Sequence, residues 1–196
     1  MIKFTLYTNC LIDVDKSRPS AEFVKKLLEA FKRSEIDLAI VASSASERQI
    51  EGGFLESIDT FKKRMRRLGF GNLELLPPLL RWDIGFWDVG LWADNETYAR
   101  EAQIYKTMFP NSEHEWADCA SRAMTDPSSE SSAHFFRWRN QILDAQAYWA
   151  HEFHRRDVFV TSDKKFQRFE GHPEFPDAVI REAKGAVEIV RKSGSE

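Results

Sequence analysis

The sequence predicts an α/β protein, a three-layer α/β/α sandwich built around a short parallel sheet. Three observations carry this expectation. Extended and helical hydrophobic periods alternate along the chain. The run Leu38-Ala39-Ile40-Val41 is continuous enough to be buried on both faces, as strands of a parallel sheet are. Polar and acidic residues follow the expected strands, where an open parallel sheet presents its ligand-binding edge.

Taken in order, residues 2–8 read as a first strand. Pro19 and Ser20 then introduce a helical pattern in which Phe23, Val24, Leu27, Leu28 and Phe31 recur at spacings of three and four. Residues 36–42 form the second strand. A helix over 55–68 places Ile58, Phe61, Met65 and Leu68 on one stripe and ends at Gly69 and Gly71. Residues 73–76 are a third strand, stopped by Pro77 and Pro78. Strand, helix, strand, helix, strand implies right-handed crossovers and helices covering the sheet.

Residues 79–132 read as a helical insertion. Helices are expected over 96–108 and 115–124, and the polar stretch 125–132 is a loop. Asp144 opens an Ala-rich helical turn, on a helix that carries Phe135, Trp138, Ile142, Ala145 and Trp149 on one face. Val158, Phe159 and Val160 make a further strand that leads to Asp163, and residues 178–192 read as a terminal helix. Residues 1–196 are therefore expected to form one domain with an insertion.

Composition narrows the function classes. The net charge is only −3, so no global excess of cations advertises a polyanion partner. Two cysteines, Cys10 and Cys119, make no disulfide framework and read as small buried apolar residues in a reduced, cytoplasmic setting. No apolar run approaches membrane-spanning length. His134, His151 and His154 follow no ligand spacing. Among the six tryptophans, Trp82, Trp87 and Trp92 fall in the insertion, where they could line a groove.

The chemistry-bearing positions cluster after strands. They are Thr8 and Asn9 after the first, Glu47 after the second, then Asp144 and Asp163. Carboxylates with amide and hydroxyl oxygens suit a hard cation, Mg2+ or Mn2+, rather than zinc. Lys62, Lys63, Arg66 and Arg67 lie opposite the apolar stripe of their helix, a cationic ridge suited to phosphate contacts. Arg137, Arg139, Arg155 and Arg156 flank the helix of Asp144.

The order YTNCLID, SSASE, LDAQA, VTSDKKF resembles the PIN-domain nucleases. That family carries an Asp-Thr-Asn after strand one, a Glu after strand two, an Asp before an Ala-rich turn, and a Thr-x-Asp-x-x-Phe after a later strand. Thr8 and Asn9 match the first motif, Glu47 the second acid, Asp144 the third and Asp163 the fourth. The family's first Asp is replaced by Tyr7, a phenol whose ordinary pKa near 10 makes it a poor ligand for a hard cation. The resemblance implies a metal-dependent ribonuclease. In it Glu47, Asp144 and Asp163 hold Mg2+ or Mn2+, Thr8 and Asn9 orient water or ligand, and single-stranded RNA is the substrate. Two alternatives stand beside it, a non-catalytic PIN-like scaffold that binds RNA or a protein, and a metal-dependent phosphatase. A homodimer is left open, and no membrane partner is expected.

Overall fold

The structure is a computed structural model that describes residues 1–45, 58–81, 84, 90–128 and 132–194. Five strands form one parallel sheet: β1 (Lys3–Leu6), β2 (Asp37–Val41), β3 (Glu74–Leu76), β4 (Val158–Val160) and β5 (Ile180–Arg181), in the order β3-β2-β1-β4-β5. Pairing is in register from Lys3↔Asp37 to Leu6↔Ile40 on one side of β1, and from Phe4↔Val158 to Leu6↔Val160 on the other. The chain builds outward from β1 through β2 to β3, then returns to lay β4 against β1's other side. The direction of winding thus reverses between β1 and β4. A ligand crevice forms at such a reversal because the connections leave the two carboxyl ends in opposite directions.

Alternation along the strands divides the interior in two. Phe4 and Leu6, Leu38 and Ile40, and Val158 and Val160 face one apolar cluster. Tyr7, Ala39, Val41 and Phe159 face the other. The first face is covered by α1 (Thr8–Asp15), α2 (Ala21–Lys32), α3 (Ile58–Leu68) and α7 (Ala183–Ser193). The second is covered by α4 (Asn95–Met108) and α6 (Ala133–Phe153), with α5 (Trp116–Arg122) packed outside them. Helices on both faces of a parallel sheet give a layering compatible with the expected sandwich. Each large side chain buried in these clusters, such as Phe159 or Phe166, contributes about 1.5–3 kcal/mol.

Local chemistry sets the helix ends. The Asp94 carboxylate accepts from the Thr97 N–H and opens α4. Ser132 caps α6 in the same way through the Phe135 N–H at 3.1 Å. Gly69, at φ +88°, takes the left-handed conformation that ends α3 and turns the chain toward β3. Asp13, on α1, accepts from Arg18 at 3.1 Å and Ser20 at 2.5 Å, which fixes the α1–α2 corner.

Three details differ from the sequence expectations. The terminal segment is not one helix over 178–192: Ile180 and Arg181 pair with Phe159 and Val160 as β5 before α7 begins. Two residues are too few to show a period, and the helical pattern that follows masks them. Asp144 does not open a helix; it lies in the middle of the 21-residue α6, whose start is set by the Ser132 cap. Arg139 and Arg156 are not surface cations. Arg156 is buried, donates to the Phe4 carbonyl and clamps Asp37 with both terminal nitrogens, while Arg139 donates to the Ile84 carbonyl. The expected helix over 55–68 is described from Ile58 onward. Trp82 and Trp87 lie outside the described residues, and Trp92 is 81% exposed.

Candidate functional site

The carboxyl ends of β1 and β4 bring the sequence-predicted residues together. Tyr7 leaves β1 in extended conformation and α1 starts at once with Thr8 and Asn9. Thr161, Ser162 and Asp163 leave β4, and Asp163 caps the short 3-10 helix Lys164–Phe169 by accepting from the Lys165 N–H at 3.0 Å. Asp144 reaches the same edge from α6. Asn9 joins the two strand ends, donating from Nδ2 to Thr161 Oγ1 and Ser162 Oγ, each at 2.9 Å. Thr161 Oγ1 also accepts the Asp163 N–H at 3.0 Å. Thr8 is buried in the first turn of α1.

The two aspartates meet on one cation. Lys165 Nζ donates to Asp144 Oδ2 at 2.5 Å and lies 3.1 Å from Asp163 Oδ2. The Tyr7 hydroxyl donates to the other Asp144 oxygen, Oδ1. Tyr7, which stands in sequence where the resemblance expects the first acid, thus contacts Asp144 as a hydrogen-bond donor. Its ring is held against Phe166, with centroids 4.9 Å apart, and Phe159.

The electrostatics follow from burial. Asp144 is almost wholly enclosed, and that enclosure raises its pKa above the ordinary aspartate value despite Lys165 and Tyr7. Burial works to lower the pKa of Lys165, but Asp144 and Asp163 outweigh it and the net direction is up. At neutral pH Lys165 is an ammonium between two acids. Cys10, beside Asn9, has its thiol pushed up to about 12, by burial first and Asp13 second, which makes it a poor nucleophile.

The donor set fits a hard cation in chemistry: two carboxylates, with the Asn9 amide oxygen and the Ser162 hydroxyl on the adjoining strand ends. Ser43, following β2 at the same edge of the sheet, is buried and its hydroxyl has no hydrogen-bond partner among the described residues. Glu47, expected as the second acid, lies outside the described residues. Among the described residues no group of three His, Cys, Asp or Glu converges as a metal-ligand set.

The cationic ridge lies on the face of the sheet that α1 also covers. Lys62, Lys63, Arg66 and Arg67 belong to α3, on the opposite face of the sheet from α6. Arg67 pairs with Asp15 at 2.9 Å, as does the neighbouring Arg64 at 2.7 Å. The sequence did not single out Lys165. A lysine after a cap reads as a solvated charge, and the only signal was its place two residues beyond Asp163. Nor did the sequence reveal a second polar cluster inside the insertion. There Glu101 accepts from Arg81 at 3.1 Å and from His114 at 3.0 Å, and His114 also meets Glu115 at 2.9 Å.

No family model, curated protein or solved structure matches this chain. Its class is therefore defined by the fold alone, an α/β protein with a five-stranded, all-parallel sheet flanked by helices. Among the described residues no helix is long and apolar enough to cross a membrane.

Proposed function

We propose that this chain is a PIN-like, metal-dependent ribonuclease acting on single-stranded RNA, with Asp144 and Asp163 at its centre. The observation that carries the reading is the meeting of these two carboxylates on a single cation at the point where the sheet reverses its winding. Two carboxylates from neighbouring elements are costly to hold together at one sheet edge unless a cation joins them. Thr8, Asn9, Asp144 and Asp163, which match the resemblance in sequence order, also lie at one edge of the sheet, and the reading assigns Glu47, outside the described residues, as a further carboxylate.

Asp144, Asp163 and Glu47 would hold Mg2+ or Mn2+. Such an ion, when bound, lowers the pKa of water and stabilises charge on a phosphoryl oxygen. Asn9 fixes the spacing of the two strand ends through Thr161 and Ser162, and so orients Asp163. Tyr7 holds Asp144 Oδ1 and leaves Oδ2 toward the site. The enclosed setting of Asp144 strengthens its pull on any cation, because low local polarity strengthens charge interactions. RNA phosphates would be met by Lys62, Lys63, Arg66 and Arg67 of α3 and by Lys164 on the 3-10 helix that Asp163 caps. A cytoplasmic setting belongs to this reading; a homodimer is not required by it.

The test is cleavage of single-stranded RNA by purified protein in Mn2+ or Mg2+. Cleavage is expected, EDTA should stop it, and Asp144→Asn should reduce it at least ~100-fold, the scale on which loss of a group that stabilises transition-state charge is felt. Tyr7 favours a second reading, a PIN-like scaffold that binds RNA without cutting it, because a phenol replaces the first acid and closes onto Asp144. RNA binding by the parent protein without metal-dependent cleavage would select that second reading.

A further inference from the structure

We propose that Lys165 is a tethered counter-ion which holds the cation position between Asp144 and Asp163, so that a divalent cation enters only by displacing its ammonium. The proposal rests on the metal-site reading above and specifies what controls that site.

The competition is for the same atoms. Asp144 Oδ1 is taken by Tyr7, and Asp163 Oδ1 is taken by the Lys165 N–H. The Oδ2 atoms of both acids remain, and both face Lys165 Nζ, at 2.5 Å and 3.1 Å. A divalent ion bridging the acids through these oxygens needs the space the ammonium fills.

Of the three side chains, the lysine is the one built to leave. Its side chain is 40% exposed, against 9% for Asp144. Its backbone is anchored in the 3-10 helix, while its four-carbon stem is flexible and its head strongly hydrated. The ring of Phe109, its centroid 5.7 Å from Nζ, gives the ammonium an aromatic face besides the two acids. Charge balance points the same way. One ammonium leaves two carboxylates with a net negative charge, and a divalent ion in its place would neutralise them. Affinity for hard cations rises with the charge count of the ligands, so an internal ammonium weakens the site without removing any ligand.

Lys165→Met, which keeps the length of the stem and removes the charge, tests this by calorimetry and thermal unfolding with Mn2+. Without metal the variant should unfold at a lower temperature than the parent, because the two acids have lost their counter-ion. Mn2+ should restore its stability in a concentration-dependent way and should bind at least ~10-fold tighter than to the parent, as a gain in net ligand charge implies. Adding Asp163→Asn should abolish that gain. Equal Mn2+ affinity in Lys165→Met and the parent would overturn the proposal while leaving the metal site standing. Absence of Mn2+ binding in both would overturn it together with the metal-site reading. Should Lys165→Met fail to fold, the parent decides. Its Lys165 Cε–Nζ NMR signals should move to those of a solvated lysine as Mg2+ is added, and unchanged signals at saturating Mg2+ would contradict displacement.

Discussion

Asp144 and Glu101 are both buried carboxylates on helices that cover the same face of the sheet, yet their surroundings differ in kind. Glu101, fully enclosed, gives one oxygen to Arg81 and His114, and its other oxygen has no hydrogen-bond partner among the described residues. Its main cation, Arg81, is 11% exposed and also reaches Glu115 and the Tyr98 hydroxyl. Every group there is tied to another inside the insertion, holding α4 against the start of α5. Asp144 has both oxygens satisfied, but one partner is a half-exposed lysine at the edge where β1 and β4 end. A buried charge is thus no marker of function by itself. What separates the two is a half-exposed lysine counter-ion and a position at the winding reversal.

The largest expected effect breaks the insertion and spares the sheet edge. Glu101→Ala leaves Arg81 and His114 without their shared acid, and removing one partner of a buried pair costs about 3–5 kcal/mol. Urea unfolding measures it, and a loss under about 1 kcal/mol, the range of an exposed ion pair, would mean that the cluster does not hold α4 in place.

Asp144→Asn should behave in the opposite sense. Burial raises the Asp144 pKa, so the parent is favoured where that group is protonated and loses stability on ionising it as pH rises. Relative to the parent, the variant should gain stability as pH climbs from below the ordinary aspartate value of 3.8 through the raised one. Thermal unfolding from acid to neutral pH reads this difference, and a variant that loses ground with rising pH would contradict it.

His114 sharpens the contrast in a different pH range. Burial works against its charged form, but Glu101 and Glu115 outweigh burial and the nearby Arg81, and the pKa moves up from 6.5. The stability it contributes is fully present below pH 6.5 and is lost as pH rises through the higher folded value. Tyr98, whose ring packs edge-on against His114, also faces it. The urea midpoint of the parent should fall across that window, and His114→Gln should flatten the fall.

Much of the sheet was legible in sequence because β1, β2 and β4 are apolar runs followed by polar residues, the pattern of strands covered on both faces. β5 was not, because Ile180 and Arg181 carry no period of their own. At the site, Tyr7, Asn9, Asp144 and Asp163 could be named from their order. The depth of Asp144 within α6 could not, since the helix start depends on Ser132, well upstream in a polar stretch. The pairing of Arg81, Glu101 and His114 left no local signal, because each comes from a different segment of the insertion.

The smallest effect belongs to the exposed face of α3. Lys63→Ala with Arg66→Ala should change stability by no more than about 0.5 kcal/mol. The double variant should also leave RNA cleavage rates on short substrates unchanged, since phosphate contacts position a nucleic acid and do not cut it.

The most direct measurement of the central claim is a crystal structure of the parent protein soaked in Mn2+ with anomalous data. A Mn2+ peak is expected between Asp144 Oδ2 and Asp163 Oδ2, at metal–oxygen distances of about 2.0–2.6 Å, with the Lys165 ammonium turned away from both. A structure that keeps Lys165 between the two acids, with no anomalous peak at high Mn2+ concentration, would contradict it.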